Sequence, residues 1–349
     1  MGMANVRIIS SPKAQEDARR TPNSVPQEHT AQDQDDFLEA LAGRSLSNEQ
    51  LKSRLKHCQG EAALLKGQKA WAQILDLFYP VQDKQPELTA AGLDTDLRLE
   101  VGFALGQLGK YDQALKEYEH CLRIRPDHYL AVNSLAYTLY NSLFAAKNRE
   151  ILLTPEARKQ RIDRAHTAFR KAQALRPDQV TNFYREGMLF KSLENKPDLA
   201  LDCFARAVAN WDAYSPEQRE ARHQERKNFI KALYNLASCQ SSRSKYKAAW
   251  ESLQRCLAED KQSGHLKPEH KHFALGKVCY FLAEYDKGVK HLQMAAQLVG
   301  PVEGDYVFEL LARTRLAQGM LEKGLETLRR IPGKNRRPYV RWTEADLLL

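Results

Sequence analysis

The sequence predicts an all-α fold, and three observations support this prediction. From Phe37 onward, apolar residues recur at spacings of three and four, which is the period of an amphipathic helix. No stretch shows the strict alternation of apolar and polar residues that is typical of a half-buried strand. Small, aromatic and turn-forming residues also recur in a similar order along the chain, which indicates internal repeats.

Composition narrows the class of protein. The 349 residues carry a formal charge of +9 and are 43% hydrophobic, which is enough for a buried core, but the apolar runs are too short to cross a bilayer. The N-terminus lacks the features of a secretory signal, so we expect a cytoplasmic protein without a membrane span. Six cysteines form no C-x-x-C pair, so we expect reduced core residues and neither a metal site nor a cofactor.

The N-terminal third divides into two predicted parts. Residues 1–36 are rich in Ser, Pro, Gln and charged residues, and we expect a disordered tail there. Residues 37–94 are expected to form a degenerate N-terminal helical pair that caps the structure, because Gly67 and Ala72 keep the spacing of a turn glycine and a small helix residue.

The most informative stretch is VGFALGQLGKYDQALKEYEHCLRIRP, residues 101–126. It resembles the tetratricopeptide repeat (TPR), a helix-turn-helix unit of about 34 residues. The residues that match its small, bulky, turn and terminating positions are Gly102, Leu105, Gly109, Tyr111, Ala114, Tyr118, Cys121 and Pro126. Arg98 departs from the pattern, since a bulky apolar residue is usual there. The resemblance implies a right-handed helical-repeat solenoid.

Similar spacing recurs over residues 95–335, which we interpret as about five to six repeats. The second unit is too long, because its terminating residue Pro177 lies 51 positions after Pro126 instead of about 34. The excess is assigned to an insert at 144–163. Thr154 followed by Pro155 is a helix start, so we expect the insert to lengthen helices rather than to form a loop.

The resemblance also implies a binding surface, because the inner helices of such arrays line a concave groove. Projecting the ligand-contacting positions of the family onto this sequence predicts partner-binding residues at Asn133, Tyr137, Tyr140, Tyr184, Arg185, Met188, Lys191, Lys231, Tyr234, Asn235, His270, Phe273, Lys277 and Tyr280. Aromatic residues alternate with cations and amides, which suits a protein or peptide segment, including an acidic one. Alternatively, several of these side chains only pack between helices.

Some members of the family clamp a C-terminal carboxylate with Lys and Asn at the fifth and ninth positions of their first unit. The second unit here has Asn133 and Tyr137 at those positions, so this clamp is not expected. Arg185, Lys231 and Asn235 could form a different anion site.

Residues 336–349 are predicted to be a basic and aromatic segment that caps the last repeat. We expect Trp342 and the final leucines, after a helix start at Thr343, to cover its apolar face. Arg336, Arg337, Tyr339 and Arg341 are not needed for a cap, and they form a secondary basic patch that could contact an acidic protein or an RNA backbone.

Function follows from these features. The sequence contains none of the common phosphate-binding, dinucleotide-binding, metalloprotease or serine-hydrolase motifs, so an enzyme is not expected. We predict a non-enzymatic scaffold or adaptor that captures a partner segment in the groove. The alternative is an RNA-associated repeat protein, which is disfavoured because the groove positions differ from unit to unit.

The stretch from Ser215 to Gln240 is expected to form one long helix.

Overall fold

The computed structural model describes residues 46–348. The chain divides into two compact units, Met1–Leu51 and Lys52–Leu349, and nearly all of the first unit lies outside the described residues. The predicted tail at 1–36 and the start of the predicted N-terminal pair therefore lie outside them too. The described residues contain helices and no strand, which confirms the predicted all-α fold.

Four helices precede the regular repeats. They are α1 (Asn48–Gly67), α2 (Trp71–Phe78), α3 (Val81–Lys84) and α4 (Pro86–Ala90). Helix α2 buries Ile74, Leu75 and Phe78, and it packs on the first helix of the first repeat.

Six helix pairs follow. They are α5 (Thr95–Gln107) with α6 (Tyr111–Ile124), α7 (Tyr129–Lys147) with α8 (Pro155–Leu175), α9 (Val180–Ser192) with α10 (Pro197–Asp212), α12 (Arg226–Ser242) with α13 (Tyr246–Glu259), α14 (Pro268–Phe281) with α15 (Tyr285–Glu303), and α16 (Asp305–Ala317) with α17 (Leu321–Arg329). Each second helix packs on its own partner and on the first helix of the next pair. This is the helical-repeat solenoid that the sequence predicts.

Close helix contacts within the pairs depend on glycine. A Cβ on Gly187 of α9 would lie 2.8 Å from the ring of Phe204 in α10, and one on Gly276 of α14 would lie 2.5 Å from Leu292 Cγ in α15. Neither position has room for a larger residue unless its neighbour moves. The repeat pattern therefore marks positions where two helices touch through a missing side chain.

The insert of the second unit falls on the end of α7, a short connection and the start of α8. The two helices have 19 and 21 residues, so the extra chain does lengthen helices. Thr154 caps α8 as expected, because its side chain accepts a hydrogen bond from the Ala157 N–H at 3.2 Å.

The long helix expected from Ser215 is a wrong prediction. The segment instead forms α11 (Pro216–Ala221), a short 3₁₀ turn (His223–Glu225) and then α12. Tertiary contacts hold the bend. Arg222 donates to the Tyr214 hydroxyl at 2.7 Å and pairs with Asp178 at 2.6 Å, while the Glu225 carboxylate accepts a hydrogen bond from the Val180 N–H at 2.7 Å. A polar helical pattern carries no information about such distant partners.

Arg98 occupies its unusual position because it is an ion-pair centre. Its side chain is only 3% exposed. Its Nε lies 2.7 Å from Asp94 Oδ2, and its Nη1 lies 2.6 Å from Glu117 Oε2. The buried charge thus joins α5 to α6 through Glu117, while Asp94, immediately before α5, pairs with Arg98 within the same turn of chain.

The described chain ends with α18 (Pro338–Leu348), which packs on α16 and α17. Val340 and Leu347 are buried against the last pair. The expectation for Trp342 is wrong, since it is 70% exposed. Thr343 does not start a helix either, because it lies in the middle of α18, where its hydroxyl donates to Glu309 Oε1 at 2.7 Å.

Candidate functional site

The first helices of the second to fifth pairs, α7, α9, α12 and α14, have an unusual charge composition. Together they contain eight Lys or Arg residues and two Glu residues. Helices α7 and α12 contain no acidic residue at all. We call the partly exposed side chains of these four helices at the predicted partner-binding positions the inner-helix face.

Arg185 is the most enclosed cation of the inner-helix face. Its guanidinium lies 3.9 Å from the ring centroid of Tyr137, in cation–π geometry. Burial lowers the pKa of Arg185, and the neighbouring Tyr137, Tyr140 and Tyr184 oppose that effect. Among residues 46–348, no carboxylate lies within ion-pair distance of Arg185. The site is therefore a recessed positive charge held by aromatic rings.

The tyrosines around Arg185 differ in exposure. Tyr184 is 7% exposed and belongs to the core around Phe204, so it supports the site from below. Tyr140 is half-buried against Phe144 and Phe169, and burial raises its pKa to about 12. Tyr137 remains partly exposed beside the guanidinium.

The remaining predicted residues of α7 and α9 are also partly exposed. They are Asn133, Met188 and Lys191. Lys191 reaches α12, where its ammonium donates to Asn235 Oδ1 at 2.8 Å. Burial lowers the pKa of Lys191, because no carboxylate offsets the loss of water.

Helix α12 contributes a single row of polar and aromatic side chains. Tyr234 and Asn235 lie three and four residues after Lys231, and Ser238 lies four and three residues after them, which places all four on one side of the helix. Burial lowers the pKa of Lys231, and the nearby charge of Lys227 adds to the effect. Of the residues expected to form an anion site, Asn235 accepts a hydrogen bond from Lys191 and donates to the Lys231 carbonyl oxygen at 2.8 Å, while Arg185 contacts Tyr137.

Helix α14 carries the last four predicted residues. His270 and Lys277 are exposed, and neither makes an ion pair within the described part of the chain. Phe273 packs edge-to-face on Tyr306 with centroids 4.8 Å apart, and Tyr280 contacts Phe281 and Tyr285. These aromatic contacts fix the rings that border α14.

A cavity of about 380 Å³ lies between α12 and α14. Its walls include the predicted residues Tyr234, Phe273 and Lys277. Five further lining residues that the sequence did not single out are Ser238, Ser241, Ser242, Tyr246 and Phe281. Ser238 and Ser241 occupy the ninth and twelfth positions of the fourth repeat, so the projection used for the other units would have found them. Nothing in the sequence signals that the two helices leave a cavity.

The four residues of the secondary basic patch do not form one exposed cluster. Arg336 is partly buried and pairs with Glu344 at 2.8 Å, while the Tyr339 hydroxyl donates to Asp305 at 2.7 Å. The Arg337 Nε lies 3.4 Å from the same Asp305 carboxylate, and Arg341 is exposed. Tyr339 and Arg337 therefore attach the start of α18 to the last repeat through Asp305.

Other kinds of site have little support within residues 46–348. No group of three His, Cys, Asp or Glu side chains is arranged to hold a metal ion there. No helix in that range is long and apolar enough to span a membrane. All six cysteines, which lie in this range, are free thiols.

Comparisons with known proteins complete the description. A family model described as Tetratricopeptide repeat matches residues 96–128, which cover most of α5 and all of α6. A search of curated proteins found no match.

Several solved structures resemble this one. PilW, a type IV pilus biogenesis factor, matches with 16% identity over 71% of this chain and 97% of its own, with a TM-score of 0.48. PilF of Pseudomonas aeruginosa matches with 15% identity over 72% of this chain and 97% of its own, with a TM-score of 0.49. YrrB, a TPR protein with an unusual peptide-binding site, matches with 14% identity over 66% of this chain and 97% of its own, with a TM-score of 0.47.

The matched segment coincides with the first of six helix pairs, and two later pairs repeat its close contact between a glycine and a large side chain, Gly187 with Phe204 and Gly276 with Leu292. Residues 96–128 thus match a tetratricopeptide repeat, and the helix pairs that follow continue a helical-repeat solenoid.

Proposed function

We propose that the protein is a non-enzymatic scaffold or adaptor that captures a segment of a partner protein on its inner-helix face. The observation that carries the proposal is the row of cations without carboxylate partners among the described residues. Arg185, Lys191, Lys231 and Lys277 lie on three successive inner helices, and each is bordered by aromatic or amide groups. Cations placed in this way favour an acidic segment of the partner.

The loss of side-chain conformational entropy on such binding is small. Helices α9 and α12 pack directly on each other, and Lys191 is already hydrogen-bonded to Asn235 across that contact. Lys191, and Arg185 against the Tyr137 ring, therefore lose little freedom when a partner arrives, and more of their contact energy becomes affinity.

We also propose that the protein acts in the cytoplasm. A quantitative affinity purification from cells that express it there tests the scaffold proposal. The bait carrying Arg185→Glu with Lys231→Glu is compared with wild type and with a control carrying Arg337→Glu and Arg341→Glu. We expect a set of proteins that the groove variant loses and the control variant keeps, both with and without nuclease. Circular dichroism of the purified variants verifies that they remain folded.

The second candidate function is binding of RNA through the C-terminal basic residues. Its supporting observation is that Arg341 is exposed and that the Arg337 side chain is 67% exposed. If nuclease removes the captured proteins, and the arginine control loses them while the groove variant keeps them, the scaffold proposal is wrong and RNA binding replaces it.

A further inference from the structure

The cavity between α12 and α14 has a composition that restricts its ligand. Its apolar walls include the rings of Tyr234, Tyr246, Phe273 and Phe281 together with four aliphatic side chains. The Tyr246 and Phe281 rings are stacked, with centroids 4.8 Å apart and an interplanar angle of 8°. Phe273 is held edge-to-face by Tyr306. Phe281 is 49% exposed, so the stacked pair and Phe273 present a partly open aromatic surface on which another flat ring can lie.

The polar groups at the cavity are limited to one cation and several hydroxyls. Lys277 lies on α14, is exposed, and has no ion-pair partner in the described chain. On the opposite wall, the Ser238 and Ser241 hydroxyls make no side-chain hydrogen bond within residues 46–348, whereas Ser242 donates to the Cys239 carbonyl oxygen at 2.8 Å. Two hydroxyls and one ammonium group thus remain available to a ligand.

The volume of the cavity indicates whether it would hold a single side chain or a larger ligand. A volume of about 380 Å³ lies near the lower end of the range of about 300–1,000 Å³ for ligand pockets. One large side chain fits this space, and the hydroxyls can accept the N–H of an indole or bond the O–H of a phenol. An aliphatic side chain would leave both hydroxyls without a partner.

The surroundings of the cavity argue for an extended ligand. Tyr234 at the cavity is one helical turn from Lys231, and the neighbouring Asn235 accepts the hydrogen bond from Lys191 of α9. From Lys231 to Ser241 the helix rises by about 15 Å, so a bound segment several residues long can contact both the cavity and the cations.

We infer that this cavity receives a Trp or Tyr side chain of the captured segment, and that acidic residues beside that side chain pair with Lys277 on one side and Lys231 on the other. The inference rests on the proposed function, because it names the class of segment that the inner-helix face selects. The ring supplies the buried apolar contact, and the carboxylates complement helices that contain few acidic groups.

A randomised peptide library displayed on phage tests the inference with the full-length chain as target. We expect the selected peptides to be enriched in Trp or Tyr next to Asp or Glu. One synthetic selected peptide is then titrated against the variants Ser238→Trp, which fills the cavity, and Lys277→Glu, which reverses the charge at its wall. Each variant is expected to weaken binding by about tenfold or more.

The matched controls are Gln297→Trp and Lys290→Glu, which introduce the same residue types at exposed positions of α15. Both are expected to leave the dissociation constant of the peptide unchanged. Circular dichroism verifies that Ser238→Trp is folded, and the exposed Lys277→Glu provides an independent measurement.

Two contrary results have different meanings. Peptides that lack the acidic and aromatic residues, or that bind both cavity variants as tightly as wild type, would overturn this inference but leave capture on the inner-helix face in place. A selection that recovers no binding peptide would overturn the inference together with the proposed function.

Discussion

Gly102 of α5 lies so close to the ring of Tyr118 in α6 that a Cβ at residue 102 would be 2.7 Å from Tyr118 Cε1. Tyr118 is 1% exposed and is the bulky residue that the first repeat places between its helices. The ring has no room to move away, because the surrounding core is closely packed. The two residues therefore determine the separation of α5 and α6.

Gly102→Ala should lower the free energy of unfolding by about 1–3 kcal/mol, since overpacking forces the ring or the backbone to shift. Gly106→Ala in the same helix is the matched control. Its Cβ would meet only Thr138 Oγ1, at an ordinary distance of 3.7 Å. The control should be neutral or stabilising by up to about 1 kcal/mol, because alanine favours a helix more than glycine does. Equal effects in urea unfolding would contradict the assigned contact.

The ion-pair centre at Arg98 gives a second prediction. Arg98→Met leaves Asp94 and Glu117 buried without their cation, and it should cost about 3–5 kcal/mol of stability. The triple variant with Arg98→Met, Asp94→Asn and Glu117→Gln should recover much of that loss, because no buried charge remains unpaired. Thermal unfolding followed by circular dichroism measures both. A single variant as stable as wild type would show that the two carboxylates do not depend on Arg98.

A third prediction concerns pH and His166 of α8, whose ring nitrogens lie 2.9 Å from Glu186 Oε1 and 2.7 Å from Glu194 Oε2. Burial alone would lower the pKa of His166, but the two carboxylates outweigh it and raise the pKa above the usual 6.5. The protonated form is therefore favoured by folding. Its contribution to stability is complete below pH 6.5 and is lost as the pH rises through the raised folded-state pKa.

The measurement is the free energy of unfolding as a function of pH in wild type and in His166→Gln. Wild type should lose stability across that window, and the variant should show a smaller decrease there. Parallel curves would mean that His166 is not charged in the folded protein.

The C-terminal helix α18 offers a matched pair of substitutions. Leu347→Ala removes a side chain that is 2% exposed and packs near Gly324, so it should cost about 2–5 kcal/mol if the last repeat unfolds with the rest. Trp342→Ala removes a larger side chain that is 70% exposed, and it should change stability by less than about 0.5 kcal/mol. Chemical denaturation of the two variants gives the comparison. The reverse order of effects would show that Trp342 covers the last repeat after all.

The salt dependence of binding should differ between the recessed cations of the inner-helix face and the exposed arginines near the C-terminus. Arg185 and Lys191 are recessed, so their contacts with a selected peptide should persist at moderate salt, whereas exposed charges are screened within about 8 Å at physiological ionic strength. We expect Arg337→Glu with Arg341→Glu to affect mainly the association rate, and Arg185→Glu to raise the dissociation rate. Surface plasmon resonance at several salt concentrations separates the two rates. Binding that disappears at moderate salt would argue against the recessed cations.

The sequence predicts the repeat positions well because they depend on local spacing. Gly102 and Tyr118 could be assigned to the small and bulky positions of one repeat, and Thr154 could be recognised as a cap, since each follows from residues close in sequence. The burial of Tyr184 could not be predicted, because its position in the repeat matches that of the partly exposed Tyr234 and only the packing of α10 decides.

The predicted binding residues rest on the same local spacing. The helical period indicates which residues lie on the same side of an inner helix, but it does not give the distance between neighbouring helices. The cavity between α12 and α14 depends on that separation. The exposure of Trp342 likewise depends on how α18 rotates on the last pair, which a short apolar segment does not specify.

The bend between α11 and α12 has a mechanical consequence. The Glu225 carboxylate, at the start of α12, accepts the hydrogen bond of the first N–H of α9, so the linker fastens the amino end of one inner helix to the next. Helices α9 and α12 should then move as a rigid body, with slow amide hydrogen exchange at Val180. The distance between Arg185 and Lys231 would then be fixed before a ligand binds. The two cations would select ligands whose negative groups have a matching separation.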